Sequence, residues 1–392
     1  MKNSDEHWMA MALELAKGGQ GWVEPNPMVG CVVVRDGELI ASGFHERFGG
    51  PHAEVHALRG LDAEVLSQST VYVTLEPCAH HGKTPPCVEL LLSKPANRVV
   101  VAMEDPFEKV AGLGISRLEH EGMDVTVGVL EEQARRLNAP YLKRLASGLP
   151  WVITKWAMTL DGAIATGSLD SKWISNELSR HQVHRLRSRV DAVVVGSSTV
   201  LADDPLLTAR LGPGEHVART AMRVVLDRRF RTMESSQLVR TAREAPVIVV
   251  VDREALARVP DKRQAFERAG AEFFELERGQ SQEPAAGLEH VLREIVRRGG
   301  TNVLVEGGAM VMGSLFDARL VDQVECYIAP KVVGGIEARR ALLGEFEVNV
   351  AFRFGGTPMA VAERGLRLFA KEVLPVLKSW GPAKPVAAAA AE

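Results

Sequence analysis

Four side chains near the start of the chain combine the ligands of zinc with a carrier for protons. His52 and Glu54 stand two residues apart, and Cys78 and Cys87 follow further along. One His and two Cys leave the fourth tetrahedral position of zinc to water, which distinguishes a catalytic site from a closed structural one. Zinc lowers the pKa of that water, and Glu54 is placed to pass its proton to a departing amine. The pattern predicts hydrolytic removal of an amino group from a nucleobase-like ring.

Other interpretations of these residues stay open at this point. A His-x-Glu triplet also arises by chance, and Cys78 with Cys87 would suit two buried thiols or a disulfide. The chain has four cysteines, no signal peptide at its start and no apolar run of transmembrane length, so we expect a reducing, cytoplasmic compartment in which disulfides are rare. Cys31 and Cys326 lie in apolar runs and are predicted to be core residues.

The predicted elements place the candidate ligands at the ends of regular structure. Apolar runs at 29–34 and 39–42 flank Asp36-Gly37, which is a strong signal for a β-hairpin. Residues 52–58 are predicted to be helical, and residues 70–75 to form a strand. His52 and Glu54 would then lie at a helix start and Cys78 just beyond a strand end, where loops carry chemistry in α/β folds.

Length and composition favour a globular protein of more than one domain. The chain has 392 residues, of which 46% are hydrophobic and 25% charged, and a net charge of −3, which argues against nucleic acid as the main partner. A boundary is predicted near residues 143–150. It separates a first domain, 1–146, from a second, 151–375, and residues 376–392 are expected to be a disordered tail.

The second domain is predicted to be α/β with its own core. Runs such as 193–195 and 247–251 do not alternate with polar residues, which is typical of strands covered on both faces of a largely parallel sheet. Residues 303–306 read as a strand that is followed by Gly307-Gly308 and a helical stretch. Glycines there would let a pyrophosphate approach a helix N-terminus, although a Gly-Gly turn after a strand is also common without any ligand.

Six motifs together are more specific than any of these features. They are PNPMVG at 25–30, PHAEVHA at 51–57, TLEPCAHHGKTPPC at 74–87, MTLDG at 158–162, SKWIS at 171–175 and TVLADDPLLT at 199–208. On these motifs the chain, up to about residue 375, resembles the bifunctional riboflavin biosynthesis proteins, in which an N-terminal pyrimidine deaminase is fused to a C-terminal NADPH-dependent reductase. The resemblance implies a cytidine-deaminase-like α/β/α domain followed by a dihydrofolate-reductase-like α/β domain.

For the first domain the resemblance implies bound zinc, with Glu54 as the proton shuttle. The implied substrate is 2,5-diamino-6-ribosylamino-4(3H)-pyrimidinone 5′-phosphate. Asn26 would hold the pyrimidine, and His45 and Lys83 would contact the ribose phosphate. Asn26 between two prolines could instead shape a turn, and Lys83 could be a solvated loop charge.

For the second domain the resemblance implies hydride transfer from NADPH to the anomeric carbon, which opens the ribose to a ribityl chain. The implied cofactor contacts are Ala157, Trp173, Thr199, Asp203 and the glycine segment from Gly308 to Gly313. The implied substrate contacts are Ser171, Arg187, Leu207, Arg210 and Glu306. An arginine fork suits a phosphate ester, because it is planar and permanently charged.

Three further residues are candidates from their places in the sequence. Lys155 and Glu306 lie near strand ends and could protonate the opening sugar ring, although a Lys at a strand end is usually solvated. Arg228 follows a predicted strand where a cation could meet the 2′-phosphate of NADPH, next to Asp227, which would repel it.

Three functions compete on the sequence alone. The favoured one is the two-step riboflavin enzyme, acting on a small molecule as a homo-oligomer, without nucleic acid or membrane as partners. A nucleic-acid or nucleoside deaminase would need a basic groove with aromatic side chains, and the chain is mildly acidic with three Tyr. A non-catalytic zinc protein would need a fourth protein ligand.

Overall fold

The computed structural model describes residues 4–80, 85–108, 110–166, 174–277, 284–329, 333 and 339–340. Three candidate site residues, Lys83, Ser171 and Trp173, lie outside the described residues, as does the predicted tail at 376–392.

A five-stranded sheet organises the N-terminal region. Its strands are β1 (Gly30–Arg35), β2 (Glu38–Phe44), β3 (Thr70–Val73), β4 (Arg98–Val101) and β5 (Asp124–Val127). The order is β2-β1-β3-β4-β5, with β1 antiparallel to β2 and β3 and with β3, β4 and β5 parallel. Asp36 (φ 53°) and Gly37 (φ 79°) form the predicted hairpin turn, where both central residues need positive φ.

Helices cover both faces of this sheet. They are α1 (Asp5–Ala16), α2 (Ala53–Leu58), α3 (Ala63–Leu66), α4 (Cys87–Ser93), α5 (Leu113–His120), α6 (Glu131–Leu137) and α7 (Ala139–Ser147). Alternate residues of β1 enter opposite cores: Cys31 and Val33 pack with the side chains of α2, and Val32 and Val34 with those of α1. This two-sided burial confirms the predicted α/β/α arrangement.

A seven-stranded sheet organises the remaining fold. Its strands are β6 (Trp151–Thr159), β8 (Ala192–Gly196), β9 (Met222–Leu226), β10 (Val247–Asp252), β11 (Glu272–Leu276), β12 (Asn302–Glu306) and β13 (Gln323–Ala329). The order is β11-β10-β9-β8-β12-β6-β13, and the pairs from β11 to β6 are parallel. Val193 and Val195 enter one core and Ala192 and Val194 the other, as the unbroken apolar runs predict.

The helices of this region follow its strands. They are α8 (Glu177–Arg187), α9 (Ser197–Asp203), α10 (Gln237–Arg240), α11 (Arg253–Ala257), α12 (Pro260–Ala269), α13 (Pro284–Arg297) and α14 (Ala309–Asp317). Two short strands, β7 (Ala163–Ala165) and β14 (Arg339–Arg340), pair separately and antiparallel. Within the described residues, no helix is long and apolar enough to cross a membrane.

The described part of the chain divides into two compact units. In the described part of the chain, one unit takes in Met1–Lys155 and Val183–Val324, and the other takes in Trp156–Gln182 and Glu325–Arg340. The five-stranded sheet and most of the seven-stranded sheet therefore belong to one unit. Helix α7 occupies most of the segment 143–150, so the chain passes from one sheet to the next through regular structure.

Candidate active sites

The three candidate zinc ligands come together at the start of α2, after β3 and at the start of α4. The ligand atoms of His52, Cys78 and Cys87 all lie within 4.8 Å of one another. His52 Nδ1 lies 3.2 Å from Cys87 Sγ and 3.5 Å from Cys78 Sγ. All four cysteines of the chain are free thiols, so the disulfide interpretation is wrong. One imidazole nitrogen and two sulfurs fit zinc with a fourth position open.

Hydrogen bonds within this cluster shift the pKa values of all three candidate ligands. A hydrogen bond with the Cys87 thiol holds the pKa of Cys78 well below its usual range, and the bond with Cys78 raises the pKa of Cys87. This hydrogen bond thus favours the thiolate at Cys78. The Cys78 bond also raises the pKa of His52. Zinc binds thiolates and neutral imidazole, so a bound metal ion would displace the protons that these three side chains carry on their ligand atoms.

Glu54 lies beside the ligands and out of solvent. It sits in the first turn of α2 and is 3% exposed. Burial raises the pKa of its carboxyl, while the charge of His52 acts in the opposite direction. A carboxyl with a raised pKa can both accept and return a proton near neutral pH, as a shuttle requires.

Asn26 and His45 line the same site. Asn26 Nδ2 lies 3.4 Å from His45 Nε2, and the His45 and His52 rings meet edge to face with centroids 5.6 Å apart. His45 Nδ1 lies 2.9 Å from the carbonyl oxygen of Pro51, and burial lowers the pKa of this imidazole. His45 is therefore held in place by Pro51, the residue that precedes the candidate ligand His52.

Glu76 fixes the loop that carries Cys78. Its buried carboxylate accepts hydrogen bonds from the backbone N–H groups of Asp105, Gly112, Gly114 and Ile115, at 2.8 to 3.3 Å. A negative charge suits this place, since α5 begins at Leu113 and its first N–H groups have no partner within the helix. A Cβ on Gly114 would lie 2.1 Å from the carbonyl oxygen of Pro77, so only glycine permits this approach.

A second cluster lies at the end of β12 and beside the middle of β6, because β6 continues to Thr159 and Lys155 is not at a strand end as predicted. Arg187 forks onto the Glu306 carboxylate, with Nε donating to Oε1 at 2.5 Å and Nη2 to Oε2 at 2.8 Å, and its Nη1 donates to the Thr208 carbonyl at 3.3 Å. Lys155 stands beside Glu306 in the ladder. Burial lowers the pKa of Lys155, and Glu306 acts against that shift.

His184 and Arg210 complete this cluster. The backbone N–H of Arg210 donates to His184 Nδ1 at 3.2 Å, and Arg210 Nη2 lies 3.4 Å from His184 Nε2. Burial and the charge of Arg187 lower the pKa of His184 to about 4. Leu207, buried with a φ of 57°, lies in the same loop as Arg210. The cluster thus gathers positive groups around one buried carboxylate.

Thr199 is a candidate cofactor residue whose side chain lies against the turn after β12. Gly307 and Gly308 both have positive φ, and a Cβ on Gly307 would lie 3.2 Å from the Thr199 side chain. Gly308 caps α14, in which Gly313 has open space beside it. Asp203 ends α9, and Ala157 lies on β6 two residues beyond Lys155. The glycine turn therefore leaves room for a ligand to reach the N-terminus of α14.

Arginines line a cavity of about 490 Å³ next to this turn. Its lining includes Ser197, Ser198, Arg228, Arg231, Met310 and Ser314. Arg228 Nε bonds Asp252 Oδ1 at 3.2 Å, whereas Arg231 Nη2 donates to the Ser197 and Ser198 hydroxyls at 2.8 and 3.2 Å.

Asp227 does not point its charge freely into this cavity. Its Oδ2 accepts hydrogen bonds from the Thr232 backbone N–H and hydroxyl, at 2.6 and 2.7 Å, and the residue is buried. The cavity's hydroxyls and guanidinium groups fit a nucleotide cofactor, whose phosphates need such donors.

Three residues with clear structural roles were missed from the sequence. His184 stands three residues before Arg187, so helical spacing could have indicated it. Glu76 precedes the Pro77-Cys78 motif directly, which was a usable signal. Arg231 has no sequence signal, since its partners Ser197 and Ser198 lie more than thirty positions away.

Two known families match the two halves of the chain. The family described as "Cytidine and deoxycytidylate deaminase zinc-binding region" matches residues 2–103, which contain all three candidate zinc ligands. The family described as "RibD C-terminal domain" matches residues 150–357, which contain the second cluster.

Similar proteins span nearly the whole chain. A "Riboflavin biosynthesis protein RibD" from Actinobacillus pleuropneumoniae is 40% identical over 342 residues, covering 87% of this chain and 88% of that protein. The solved structure of Acinetobacter baumannii RibD, form 1, is 36% identical, covers 88% of this chain and 92% of its own, and superposes with a TM-score of 0.75. A Thermotoga maritima structure, titled as a diaminohydroxyphosphoribosylaminopyrimidine deaminase and 5-amino-6-(5-phosphoribosylamino)uracil reductase, is 37% identical over 89% of this chain and 93% of its own, with a TM-score of 0.71.

Proposed function

This chain belongs to the RibD family of bifunctional riboflavin biosynthesis deaminases and reductases, and we propose the substrate, cofactor and residues of its two reactions. The first substrate is 2,5-diamino-6-ribosylamino-4(3H)-pyrimidinone 5′-phosphate, which loses a ring amino group. The second step reduces the ribosyl group of the product to ribityl, with NADPH as the nicotinamide cofactor.

In the first reaction, His52, Cys78 and Cys87 would hold zinc. When bound, zinc supplies the Lewis acidity that makes a water nucleophilic near neutral pH. Glu54 accepts the proton of the attacking water and delivers it to the departing amino nitrogen, which leaves as ammonia. Its burial supports this role, since a carboxyl of raised pKa returns a proton more readily.

Substrate binding in this reaction falls to the residues around the cluster. Asn26 holds the pyrimidine through its amide, which can donate and accept hydrogen bonds. His45, beside it, contacts the ribose phosphate together with Lys83. The 3.4 Å approach of Asn26 to His45 supports placing both at one substrate.

In the second reaction, the nicotinamide cofactor supplies the hydride when bound. Thr199 and the turn at Gly307 and Gly308 hold it near α14. Lys155 donates a proton to the ring oxygen as the sugar opens, and the lowered pKa of this buried ammonium favours the donation. Glu306 keeps Lys155 in place and takes its own orientation from Arg187.

Arg210 and Arg187 supply the positive charge for the substrate phosphate. The Arg187 fork is engaged by Glu306, so Arg210, which is more exposed, makes the direct contact. We further propose that the enzyme works as a homo-oligomer in the cytoplasm, without a nucleic-acid or membrane partner.

One observation supports the deaminase proposal: the three candidate zinc ligands lie together, and the 3% exposed Glu54 lies beside them. The test is metal analysis of the purified protein, followed by assay with the diaminopyrimidine phosphate and NADPH. One zinc per chain, ammonia release and subsequent NADPH oxidation are expected. Ammonia release from oligonucleotides instead would favour a nucleic-acid deaminase, and a fourth protein ligand with no activity would favour structural zinc.

A further inference from the structure

We propose that Arg219 positions the deaminase loop that carries Asn26, although it lies almost two hundred residues further along the chain. Arg219 belongs to the segment between α9 and β9, which feeds the seven-stranded sheet. The inference rests on the proposed function, because it takes Asn26 to contact the pyrimidine. Arg219 would thus be a positioning residue for deamination, a reaction whose proposed catalytic residues belong to the region of the five-stranded sheet.

The guanidinium of Arg219 binds the loop at two residues. Its Nε donates to the carbonyl oxygen of Gly21 at 2.8 Å, and its Nη2 lies 3.2 Å from the carbonyl oxygen and 3.3 Å from Oε2 of Glu24. Glu24 Oε1 in turn accepts the Gly21 backbone N–H at 3.0 Å. These bonds close residues 21–24 into one hydrogen-bonded turn around the arginine.

The same guanidinium is fixed on its other side. Its Nη1 donates to the Asp191 carboxylate, whose Oδ2 accepts the backbone N–H groups of Thr301 and Asn302, both at 2.8 Å. Asn302 begins β12. Because the arginine fork is planar and rigid, anchoring it to the sheet fixes where the loop must lie.

The loop backbone rests directly on this region. Gly21 has a φ of +86°, and a Cβ there would lie 2.8 Å from the Arg189 Cβ and 3.0 Å from the Ala218 Cβ. Met28, two residues beyond Asn26, is held by the buried side chain of Asn138. The Asn138 amide oxygen accepts the Met28 N–H at 2.8 Å, and the Asn138 amide nitrogen donates to the Met28 carbonyl oxygen at 3.0 Å. Asn26 therefore lies between an anchor at residues 21–24 and another at Met28.

Loss of Arg219 would leave two buried carboxylates without their cation. The side chains of Glu24 and Asp191 are 8% and 6% exposed. Unpaired buried charges move toward water or take up protons. Either response shifts the turn at 21–24, and with it the Asn26 amide that faces His45.

The test compares Arg219→Gln and Arg219→Lys with a matched control, Lys143→Gln. The ion pair of Lys143 with Asp322 likewise joins α7 to the seven-stranded sheet, since Asp322 directly precedes β13. The Lys143 and Arg219 side chains are similarly buried, with 19% and 22% of their surface exposed. In the described structure, no hydrogen bond or ion pair joins Lys143 or Asp322 to residues 21–26. Each variant is assayed for zinc content, for kcat and KM of deamination, and for reduction of the deaminated product.

Arg219→Gln should raise the KM of deamination about tenfold, which corresponds to about 1.4 kcal/mol, with kcat and zinc content nearly unchanged. Arg219→Lys keeps the charge but cannot reach all its partners, so it should raise KM less; it decides the question if Arg219→Gln does not fold. Reduction should stay normal, and Lys143→Gln should match wild type in both assays. An unchanged KM in the folded Arg219 variants, or an equal rise in Lys143→Gln, overturns the inference alone. Failure of wild type to deaminate would instead remove the proposed function and the inference with it.

Discussion

Arg187 and Glu306 form a two-pronged ion pair beside Lys155, with both side chains about nine-tenths buried. Neither charge could be buried alone without a large cost, because the interior solvates ions poorly. The pair therefore fixes a carboxylate where the reductase substrate is proposed to bind, and it makes that carboxylate dependent on one arginine.

Arg187→Ala should weaken reduction while sparing deamination. It leaves Glu306 buried without its partner, at a cost of about 3–5 kcal/mol in the free energy of unfolding. Arg187→Lys serves as the control, since it keeps the charge and loses only the fork geometry. Reduction is measured as NADPH oxidation with the deaminated product, and unfolding by urea titration. A wild-type rate of reduction in Arg187→Ala would rule out the proposed role.

Glu54→Gln should lower deamination by roughly a hundredfold to ten-thousandfold. Glutamine keeps the size and polarity of Glu54 but cannot accept the proton of the water. The variant should keep its zinc, as measured by metal analysis. It should also reduce the deaminated product at a near-normal rate, as measured by NADPH oxidation. If both activities vanish in a folded, zinc-loaded protein, the two sites act as one coupled unit.

Cys87→Ser should lose zinc and deamination together. A serine hydroxyl is a much poorer zinc ligand than a thiolate, and His52 and Cys78 alone leave the site with two protein ligands. Metal analysis of the purified variant gives the measurement. Cys326→Ser, which changes a cysteine outside the cluster, should keep full zinc. Full zinc content in Cys87→Ser would show that Cys87 is not a ligand.

Arg228→Ala should reduce the preference for NADPH over NADH, which we expect to be at least about tenfold in wild type. The structure holds Arg228 against Asp252 at the edge of the cavity, where it can face a 2′-phosphate. Arg231→Ala is the informative comparison, because Arg231 lines the same cavity. If only Arg231→Ala loses the preference, Arg231 and not Arg228 contacts the 2′-phosphate. If wild type uses NADH and NADPH equally, neither arginine selects the cofactor.

The sequence was most informative where function depends on short segments. The hairpin at Asp36-Gly37 and the doubly buried strands at 193–195 and 247–251 were predicted correctly, because turn chemistry and apolar runs are local signals. The three candidate zinc ligands were likewise proposed from their motif, and the structure brings their ligand atoms within 4.8 Å of one another.

Long-range partnerships could not be predicted in the same way. Nothing near Arg219 indicates that it binds Gly21, and Arg187 and Glu306 are separated by more than a hundred residues. Such pairs depend on the tertiary packing of segments that are distant in the chain, which no local pattern encodes.

The carboxylate of Glu76, which binds four backbone N–H groups, has a thermodynamic consequence for the metal. The loop leading to Cys78 is ordered by the protein's own hydrogen bonds, so zinc need not supply the free energy that orders it. Small zinc domains, by contrast, fold only when the metal binds, and their metal affinity includes the cost of folding. In this chain we therefore expect the affinity for zinc to include little cost for ordering the loop that leads to Cys78.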